Sequence, residues 1–264
     1  MNRIAVLIPH YNNPKGLVAS LTSIDSSEVV DVVVVDDGSR EKPDEAAAVT
    51  AFTAKGKLVF IYMDQNRGIE HALNRGLDYI ESKSYTYIAR LDCGDKNIGK
   101  RFAIQEKFLQ DNPDVKLVGS FATMVTINGD IFYNLKFPVT TASIRKRFYL
   151  NCMFIHPAVM FRVAMLSVIG KYPIEYKSAE DYAFFFKFVK GYKVYNIPEY
   201  LVKIELNPNG ISATRRKQQV VSRIKVIKHN FYFGFYPVYG LLRNIVLYYM
   251  PNDIILFIKS KIFK

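Results

Sequence analysis

The first ninety residues alternate strand-like and helix-like patterns, and this alternation limits the possible folds more than any other feature. Apolar runs rich in β-branched and aromatic residues lie at 4–8, 29–35, 58–63 and 85–91. Between the last two, Ile69, Leu73, Leu77 and Ile80 repeat at helical spacing. Helical crossovers between parallel strands produce this order of elements. The sequence therefore predicts an α/β fold with a central, mostly parallel, Rossmann-like sheet flanked by helices.

The pattern changes after residue 115. Two strand-like runs, at 118–127 and 131–135, are joined by Asn128-Gly129, and an Asn-Gly pair between strands predicts a tight hairpin. Further helices are expected over 141–150 and from about Glu180, followed by a strand over 193–197. We find no internal repeat.

Length and composition favour one catalytic unit. The chain has 264 residues, of which 50% are hydrophobic, enough for a sizeable core. Cys93 and Cys152 form no C-x-x-C pair, so neither a disulfide framework nor a cysteine metal site is expected. The apolar run at 4–8 is too short for a secretory signal, and no run of about twenty apolar residues occurs. These features predict a cytoplasmic protein.

The positive charge is concentrated at the C-terminus. Residues 215–264 contain ten Lys and Arg against one Asp, which accounts for most of the net charge of +12. Aromatic residues are interleaved with these cations, a mixture that favours an anionic membrane surface over nucleic acid. We therefore predict a catalytic domain over 1–209 and a membrane-associating extension over 210–264. A basic helix packed on the domain, with a dimer contact, is the alternative.

Two strand ends carry a possible nucleotide site. Pro9 and Tyr11 end the first strand, and Asp37 ends the second, so both turns are expected at one edge of the sheet, where open α/β sheets bind ligands. Tyr11 would stack on a pyrimidine, and Asp37 would accept a hydrogen bond from the ring N–H. The alternative is a plain Asp-Gly-Ser turn that caps a helix.

A second acidic turn follows the strand that ends near Leu91. Asp92 and Asp95 offer oxygen ligands, which suit a magnesium or manganese ion that also binds a diphosphate. Such an ion neutralises charge on a departing nucleoside diphosphate. The alternative is a solvated acidic turn.

The third acidic site is Glu180-Asp181. Ser178 is expected to cap a helix that begins here, which places both carboxylates in the first turn, where the helix dipole favours an ionised carboxylate. An ionised carboxylate can remove a proton from an acceptor hydroxyl. Helix capping alone is the alternative explanation.

Together these segments resemble the inverting glycosyltransferases of family 2, which have the GT-A fold. The resemblance covers about residues 2–205 and rests on the order and spacing of segments 6–12, 34–39, 66–68, 89–92, 156–162 and 180–181. It implies Asp181 as the catalytic base, with Glu180 supporting it or touching the acceptor. It also implies that His156 lies on the acceptor side, although a structural role before Pro157 is equally possible.

The resemblance further implies a UDP-sugar donor site and a metal site. The donor-binding residues would be Pro9, Tyr11, Asp37, Arg67, Arg90 and Asp92. Mn²⁺ or Mg²⁺ would bind at Asp92 and Asp95. Many relatives carry Asp-x-Asp-Asp at this turn, whereas this chain has Asp92-Cys93-Gly94-Asp95, which leaves the identity of the direct ligands open.

Within the family, the chain resembles small bacterial enzymes that extend O-antigen repeat units on N-acetylglucosamine-diphosphoundecaprenol. This implies a β-1,3-linked hexose, galactose from UDP-galactose or glucose from UDP-glucose, and a location at the inner face of the bacterial inner membrane. A sugar nucleotidyltransferase is a competing reading, but the segment after the first strand lacks its glycine-rich basic loop. A noncatalytic membrane- or nucleic-acid-binding module leaves the acidic sites unexplained.

Overall fold

The computed structural model describes residues 2–206 and 214–250. Its centre is a nine-stranded sheet. In chain order the strands are β1 Ile4–His10, β2 Asp31–Asp36, β3 Leu58–Tyr62, β4 Tyr87–Arg90, β5 Lys96–Asn97, β6 Val115–Val125, β7 Ile131–Leu135, β8 Met160–Arg162 and β9 Lys193–Glu205.

Helices flank this sheet. They are α1 Pro14–Thr22, α2 Glu45–Ala51, α3 Ile69–Glu81, α4 Arg101–Asp111, α5 Thr141–Arg147, α6 Leu166–Ile169, α7 Glu180–Gly191, α8 Arg216–His229 and α9 Phe235–Tyr249. Two short 3-10 helices span His156–Ala158 and Val163–Met165.

The sheet order is β3-β2-β1-β4-β8-β6-β9-β5, with β7 paired to β6. The first four strands are parallel, as the alternation of elements predicts. The second half is mixed: β8 runs antiparallel to both β4 and β6, whereas β6 and β9 are parallel. The predicted α/β architecture is confirmed, with the refinement that parallel pairing dominates only the N-terminal half.

The two faces of the sheet bury separate cores because side chains alternate along a strand. On β1, Leu7 faces the core under α3 and α7, and Ile8 faces the core under α1 and α4. Gly76 allows α3 to lie close to the sheet, since a Cβ there would be 2.2 Å from Leu7 Cδ1. This packing fixes the strand ends that form the site.

Local sequence signals also hold in the second half. The predicted hairpin joins β6 and β7, and Gly129 has a φ of +87°, a conformation that glycine adopts readily. The predicted strand over 193–197 is the start of a longer strand, β9. Helix α4 was not predicted; its buried face includes Arg101 and Gln105, which hides its apolar periodicity.

The C-terminal helices α8 and α9 pack on the catalytic unit. Val226 and Ile227 of α8 belong to the same buried cluster as the aromatic residues of α7. Tyr149 donates a hydrogen bond from its hydroxyl to the Asn230 carbonyl, and Arg243 donates to the Leu150 carbonyl. The segment over 214–250 is thus integrated with the domain. The predicted boundary at residue 209 falls outside the described residues.

Candidate active site

A cleft of about 1100 Å³ opens at the carboxyl ends of β1, β2 and β4. It collects all but one of the residues predicted from the sequence: Pro9, Tyr11, Asp37, Arg67, Asp92, Asp95, His156, Glu180 and Asp181. The exception is Arg90. The three acidic sites, separate in the chain, therefore face a single cavity.

Asp37 holds the loop that precedes α3. One carboxylate oxygen accepts the Arg67 amide at 2.8 Å, and the other accepts the Gly68 amide at 2.9 Å. Gly68 has a φ of +104°, which allows the chain to turn into the helix. Burial raises the pKa of Asp37, and the two amides oppose this rise. Asp37 therefore positions Arg67 at the cleft, and each of its carboxylate oxygens can accept a further hydrogen bond.

Tyr11 is half-exposed at the mouth of the cleft, as a base-stacking ring would be. Its neighbour Asn12 has a φ of +49°, and the Asn12 side chain accepts the Arg40 and Glu41 amides. Behind the turn, His10 Nδ1 lies 2.7 Å from Asp36 Oδ1. These hydrogen bonds link the ends of β1 and β2 and thereby fix the position of Tyr11.

Arg90 occupies a different position from the one predicted. Its side chain is fully buried and does not line the cleft. Its guanidinium donates to the carbonyls of Leu7 and Leu91, to the Asp92 carboxylate and, at 3.4 Å, to His156 Nε2. Direct donor contact by Arg90 stays a prediction; in the structure Arg90 orients Asp92 and His156 from behind.

Asp92 and Asp95 lie together on a turn held by Ser20. The Ser20 hydroxyl donates to the Asp95 carbonyl at 2.8 Å and accepts the Gly94 amide at 2.9 Å. The Asp95 carboxylate accepts the Glu205 amide. Burial, followed by the charge of Asp92, raises the pKa of Asp95 well above its ordinary value. Two facing carboxylates of this kind are stabilised by a cation.

The turn fits a divalent metal that shares its coordination with a substrate. Within the described ranges, no group of three or more His, Cys, Asp and Glu is arranged to hold an ion. Mg²⁺ and Mn²⁺ sites of phosphate-handling enzymes commonly use one or two carboxylates together with phosphate oxygens. Asp92 and Asp95 supply such a pair of carboxylates in the cleft.

His156 begins a 3-10 helix beside Asp92 in the cleft. Its Nε2 lies 2.9 Å from the Tyr172 hydroxyl. Burial and the positive charge of Arg90 lower the pKa of His156 to about 4. The imidazole is therefore neutral at pH 7 and is held by its hydrogen-bond partners Tyr172 and Arg90.

Helix α7 presents Glu180 and Asp181 from its first turn. Ala179, and not Ser178 as predicted, occupies the N-cap position, and no side chain caps the helix. Ser178 has a φ of +61° and donates from its hydroxyl to Gln218 of α8. The Asp181 carboxylate accepts the Tyr182 amide at 2.7 Å. Burial and the charge of Asp181 raise the pKa of Glu180 to about 8.

Several residues of the cleft were not predicted. Lys177 forms an ion pair with the buried carboxylate of Glu70, and both line the cleft. Glu205, Arg215 and Gln218 complete the opposite wall. The sequence marks none of them, because each reaches the cavity through packing of elements distant in the chain.

Comparisons with known proteins identify the family. The Glycosyl transferase family 2 model matches residues 5–170. An uncharacterized glycosyltransferase of Methanocaldococcus jannaschii is 26% identical over 96% of this chain and 91% of its own length. An Escherichia coli UDP-Gal:alpha-D-GlcNAc-diphosphoundecaprenol beta-1,3-galactosyltransferase is 26% identical over 92% of this chain and 89% of its own length.

Solved structures agree on the fold. Residues 1–349 of Staphylococcus aureus TarS, in complex with UDP-GlcNAc, superpose with a TM-score of 0.66 at 18% identity, over 92% of this chain and 72% of that one. The chain spans 41% of the length of a longer TarS structure. A Pyrobaculum calidifontis mannosyltransferase with GDP-Man and Mn²⁺ gives a TM-score of 0.64 at 18% identity, over 93% and 70%.

The family match covers the strand ends that carry Asp37, Asp92 and Asp95, and it ends before Glu180 and Asp181. The family match spans well over half of the 264 residues. The chain belongs to glycosyl transferase family 2 and is a glycosyltransferase with the GT-A fold.

Proposed function

We propose that this glycosyltransferase moves a hexose from a UDP-sugar, galactose in the first instance, to N-acetylglucosamine-diphosphoundecaprenol, and forms a β-1,3 linkage in a surface-polysaccharide repeat unit. The observation that carries the proposal is the single cleft shared by a helix-borne carboxylate and the acidic strand ends. The E. coli relative supports the choice of donor and acceptor. Family membership favours sugar transfer over nucleotidyl transfer and over a noncatalytic role.

The donor would bind along the sheet edge. The half-exposed Tyr11 ring would stack on uracil, and the remaining lone pairs of Asp37 would accept the ring N–H. Arg67 lines the same wall and would meet phosphate oxygens. Asp92 and Asp95 would hold Mn²⁺ or Mg²⁺, which supplies positive charge opposite the diphosphate.

Asp181 would act as the general base. Its carboxylate takes the proton of an acceptor hydroxyl as that oxygen attacks the anomeric carbon, and the bond from this carbon to the diphosphate oxygen breaks. A single displacement inverts the configuration, so an α-linked UDP-sugar yields a β-glycoside and UDP. The first turn of α7 suits this role, because the helix dipole favours a negative charge there.

The C-terminal helices would bring the enzyme to its lipid-linked acceptor. One face of α9 exposes a row of apolar residues, here called the α9 stripe: Phe235, Val238, Tyr239, Leu242, Ile245, Val246 and Tyr249. Residues 214–250 contain seven Lys and Arg and no acidic residue. In the described part of the chain no helix is long and apolar enough to cross a bilayer. An amphipathic helix with nearby cations suits attachment in the plane of an anionic membrane, here the inner face of the inner membrane.

The test is an assay of the purified chain with Mn²⁺, UDP-galactose and a synthetic N-acetylglucosamine-diphosphate-lipid. Mass spectrometry and NMR should find one added hexose in a β-1,3 linkage, with release of UDP. A parallel reaction with UDP-glucose separates two donors that differ in the orientation of one hydroxyl. Release of pyrophosphate, or no product with any UDP-sugar and this acceptor, would overturn the proposal.

A further inference from the structure

One face of helix α3 binds the segment that leads into α7. The face carries four polar residues at helical spacing: Glu70, Asn74, Asp78 and Glu81. Toward the C-terminal end of α3, Lys171 forms ion pairs with Asp78 and Glu81. In the middle, the Asn74 side chain accepts the Tyr172 amide at 2.9 Å and donates to the Tyr172 carbonyl at 2.8 Å. At the start of α3, Lys177 pairs with Glu70. The segment over 171–177 is therefore attached to α3 at three points.

The ion pair of Glu70 and Lys177 differs from the other two attachments because both of its residues line the cleft. The Glu70 side chain is buried, with 5% of its surface exposed, whereas Lys177 is half-exposed. The Glu70 carboxylate also packs against Gly68, since a Cβ on Gly68 would lie 2.8 Å from Glu70 Oε2. Asp37 accepts the Gly68 amide. The ion pair is thus in contact with the loop that would hold the donor.

Lys177 belongs to a tight turn that precedes α7. The Tyr176 carbonyl accepts the Ala179 amide at 2.9 Å. Ser178 has a φ of +61°, a conformation that is costly for a residue with a Cβ and that persists only where the surroundings hold it. Because α7 has no side-chain cap, this turn fixes where the first residues of the helix lie.

Contacts from two helices hold this turn. The Lys177 side chain is bound by Glu70 of α3, and the Lys177 carbonyl accepts the Ser222 hydroxyl of α8 at 2.8 Å. The Ser178 hydroxyl donates to Gln218 of α8. Asp181 lies in the first turn of α7, directly after these residues. Release of the Lys177 side chain from α3 would therefore loosen the turn from which Asp181 projects.

We propose that Lys177 is a positioning residue: its ion pair with Glu70 holds the turn at 176–179 against α3 and so sets the position of Asp181 relative to the donor loop. This inference rests on the proposed function, in which Asp181 is the general base, and deepens it. Transfer requires the base, the acceptor hydroxyl and the anomeric carbon in one geometry, and a misplacement of about 1 Å can lower the rate about 10²-fold. Loss of the Lys177 ammonium would also leave the buried Glu70 carboxylate unpaired, which favours rearrangement of this wall.

The test breaks the pair from each side and compares it with an ion pair outside the cleft. Lys177→Met and Glu70→Gln should each lower kcat about tenfold or more, with UDP affinity measured by calorimetry within about twofold of wild type. Lys177→Arg keeps the charge and should retain kcat within a few-fold. The double variant should be no slower than the worse single variant, because both substitutions break one link. The matched control is Lys171→Met, which removes the attachment at the far end of α3 and should lower thermal stability with kcat little changed.

Two results would overturn the role of Lys177. One is a Glu70→Gln enzyme with the kcat of the wild type; a raised KM for the UDP-sugar in Lys177→Met would then assign Lys177 to direct contact with the donor phosphates. The other is an equal effect of Lys177→Met and Lys171→Met on both kcat and thermal stability, because the two ion pairs would then serve the fold alone.

A second readout needs no substrate. Amide hydrogen exchange of a peptide spanning 176–183 reports on the bonded amides of Ala179, Tyr182 and Ala183 at the start of α7. Lys177→Met should speed their exchange about tenfold or more, whereas Lys171→Met should leave it unchanged. This faster exchange, in a protein whose wild type transfers no hexose to lipid-linked N-acetylglucosamine, would overturn the proposed function but not the attachment of the turn by Glu70. Transfer by the wild type, with unchanged exchange in Lys177→Met, would overturn the inference alone.

Discussion

The two sides of the cleft are held in different ways. On the proposed donor side, within the family match, main-chain amides and the Ser20 hydroxyl hold the carboxylate-bearing turns: Asp37 accepts two amides, and Ser20 hydrogen-bonds the turn of Asp92 and Asp95. On the proposed acceptor side, beyond residue 170, Glu180 and Asp181 lie at the start of a helix without a side-chain cap. That helix is held by aromatic packing and by α8.

This difference indicates which substitutions should affect sugar transfer directly and which should affect it through packing. A substitution on the proposed donor side would break hydrogen bonds at the sheet edge and, under the proposed function, would act directly on nucleotide binding. On the other side, substitutions in α7 beyond Glu180 and Asp181 would act through packing, because Tyr182 of α7 hydrogen-bonds the Phe148 carbonyl and α8 lies against α7. The C-terminal helices can thus tune acceptor handling while the sheet edge stays intact.

The largest expected effect is on the acceptor side. Asp181→Asn removes the proposed general base and should lower kcat by about 10²–10⁴-fold, the usual contribution of a positioned base. The substitution keeps the size and shape of the side chain, so UDP binding measured by calorimetry should match the wild type. Turnover within about twofold of wild type would show that Asp181 is not the base. Weak UDP binding would show that the two sides of the cleft are not separable.

Asp37→Asn tests the donor side. The introduced side chain has an NH₂ group in place of one carboxylate oxygen. This group cannot accept a main-chain N–H, so the hydrogen bond from the Arg67 or the Gly68 amide is lost. We expect a loss of about 1–3 kcal/mol in the free energy of unfolding and a higher KM for the UDP-sugar. Urea denaturation and initial-rate kinetics measure the two effects. A raised KM for the acceptor with an unchanged KM for the UDP-sugar would place Asp37 on the acceptor side of the cleft instead.

Gly240→Ala tests whether α9 is integral to the fold. A Cβ at this position would lie 2.2 Å from the Tyr149 carbonyl oxygen, so α9 must move. Overpacking of this kind costs about 1–3 kcal/mol of stability. The matched control is Gly191→Ala at the end of α7, where a Cβ meets nothing within 4 Å. Equal thermal stability of the two variants would mean that the C-terminal helices are loosely attached.

Substitutions in the α9 stripe are expected to change the rate of sugar transfer least. Phe235 is 73% exposed, and its ring stacks on Tyr239. Changing both to Ser should reduce flotation with anionic liposomes by roughly tenfold or more, because burial of a large apolar side chain contributes about 1.5–3 kcal/mol. Transfer to a short-chain, water-soluble acceptor should continue. Val49→Ser, an exposed apolar site on α2, is the control.

Undiminished flotation of this double variant would assign the α9 stripe to something other than lipid. Sedimentation of the wild type then distinguishes the alternative, since a dimer formed through α9 would dissociate in the double variant. The two measurements together show whether the C-terminal region binds a membrane or a second copy of the chain.

The strand ends that line the cleft were largely predictable from the sequence. The strands before Tyr11, Asp37 and Asp92 are marked by their apolar residues, and parallel strands place their carboxyl ends at one edge. The hairpin at Gly129 was marked in the same local way. The role of Arg90 was not predictable, because a buried arginine and one that binds phosphate look alike in a sequence.

The sequence by itself determined the alternation of elements, the hairpin and the placement of acidic residues at strand ends and at a helix start, because these depend on periodicity over a few neighbouring residues. Only the tertiary structure decided the insertion of β8 between β4 and β6, the burial of Arg90 behind His156, and the Glu205 amide on Asp95, 110 residues away. Such contacts join distant parts of the chain, and their geometry is set by how whole elements pack. The ion pair of Lys177 in the cleft is a product of that packing.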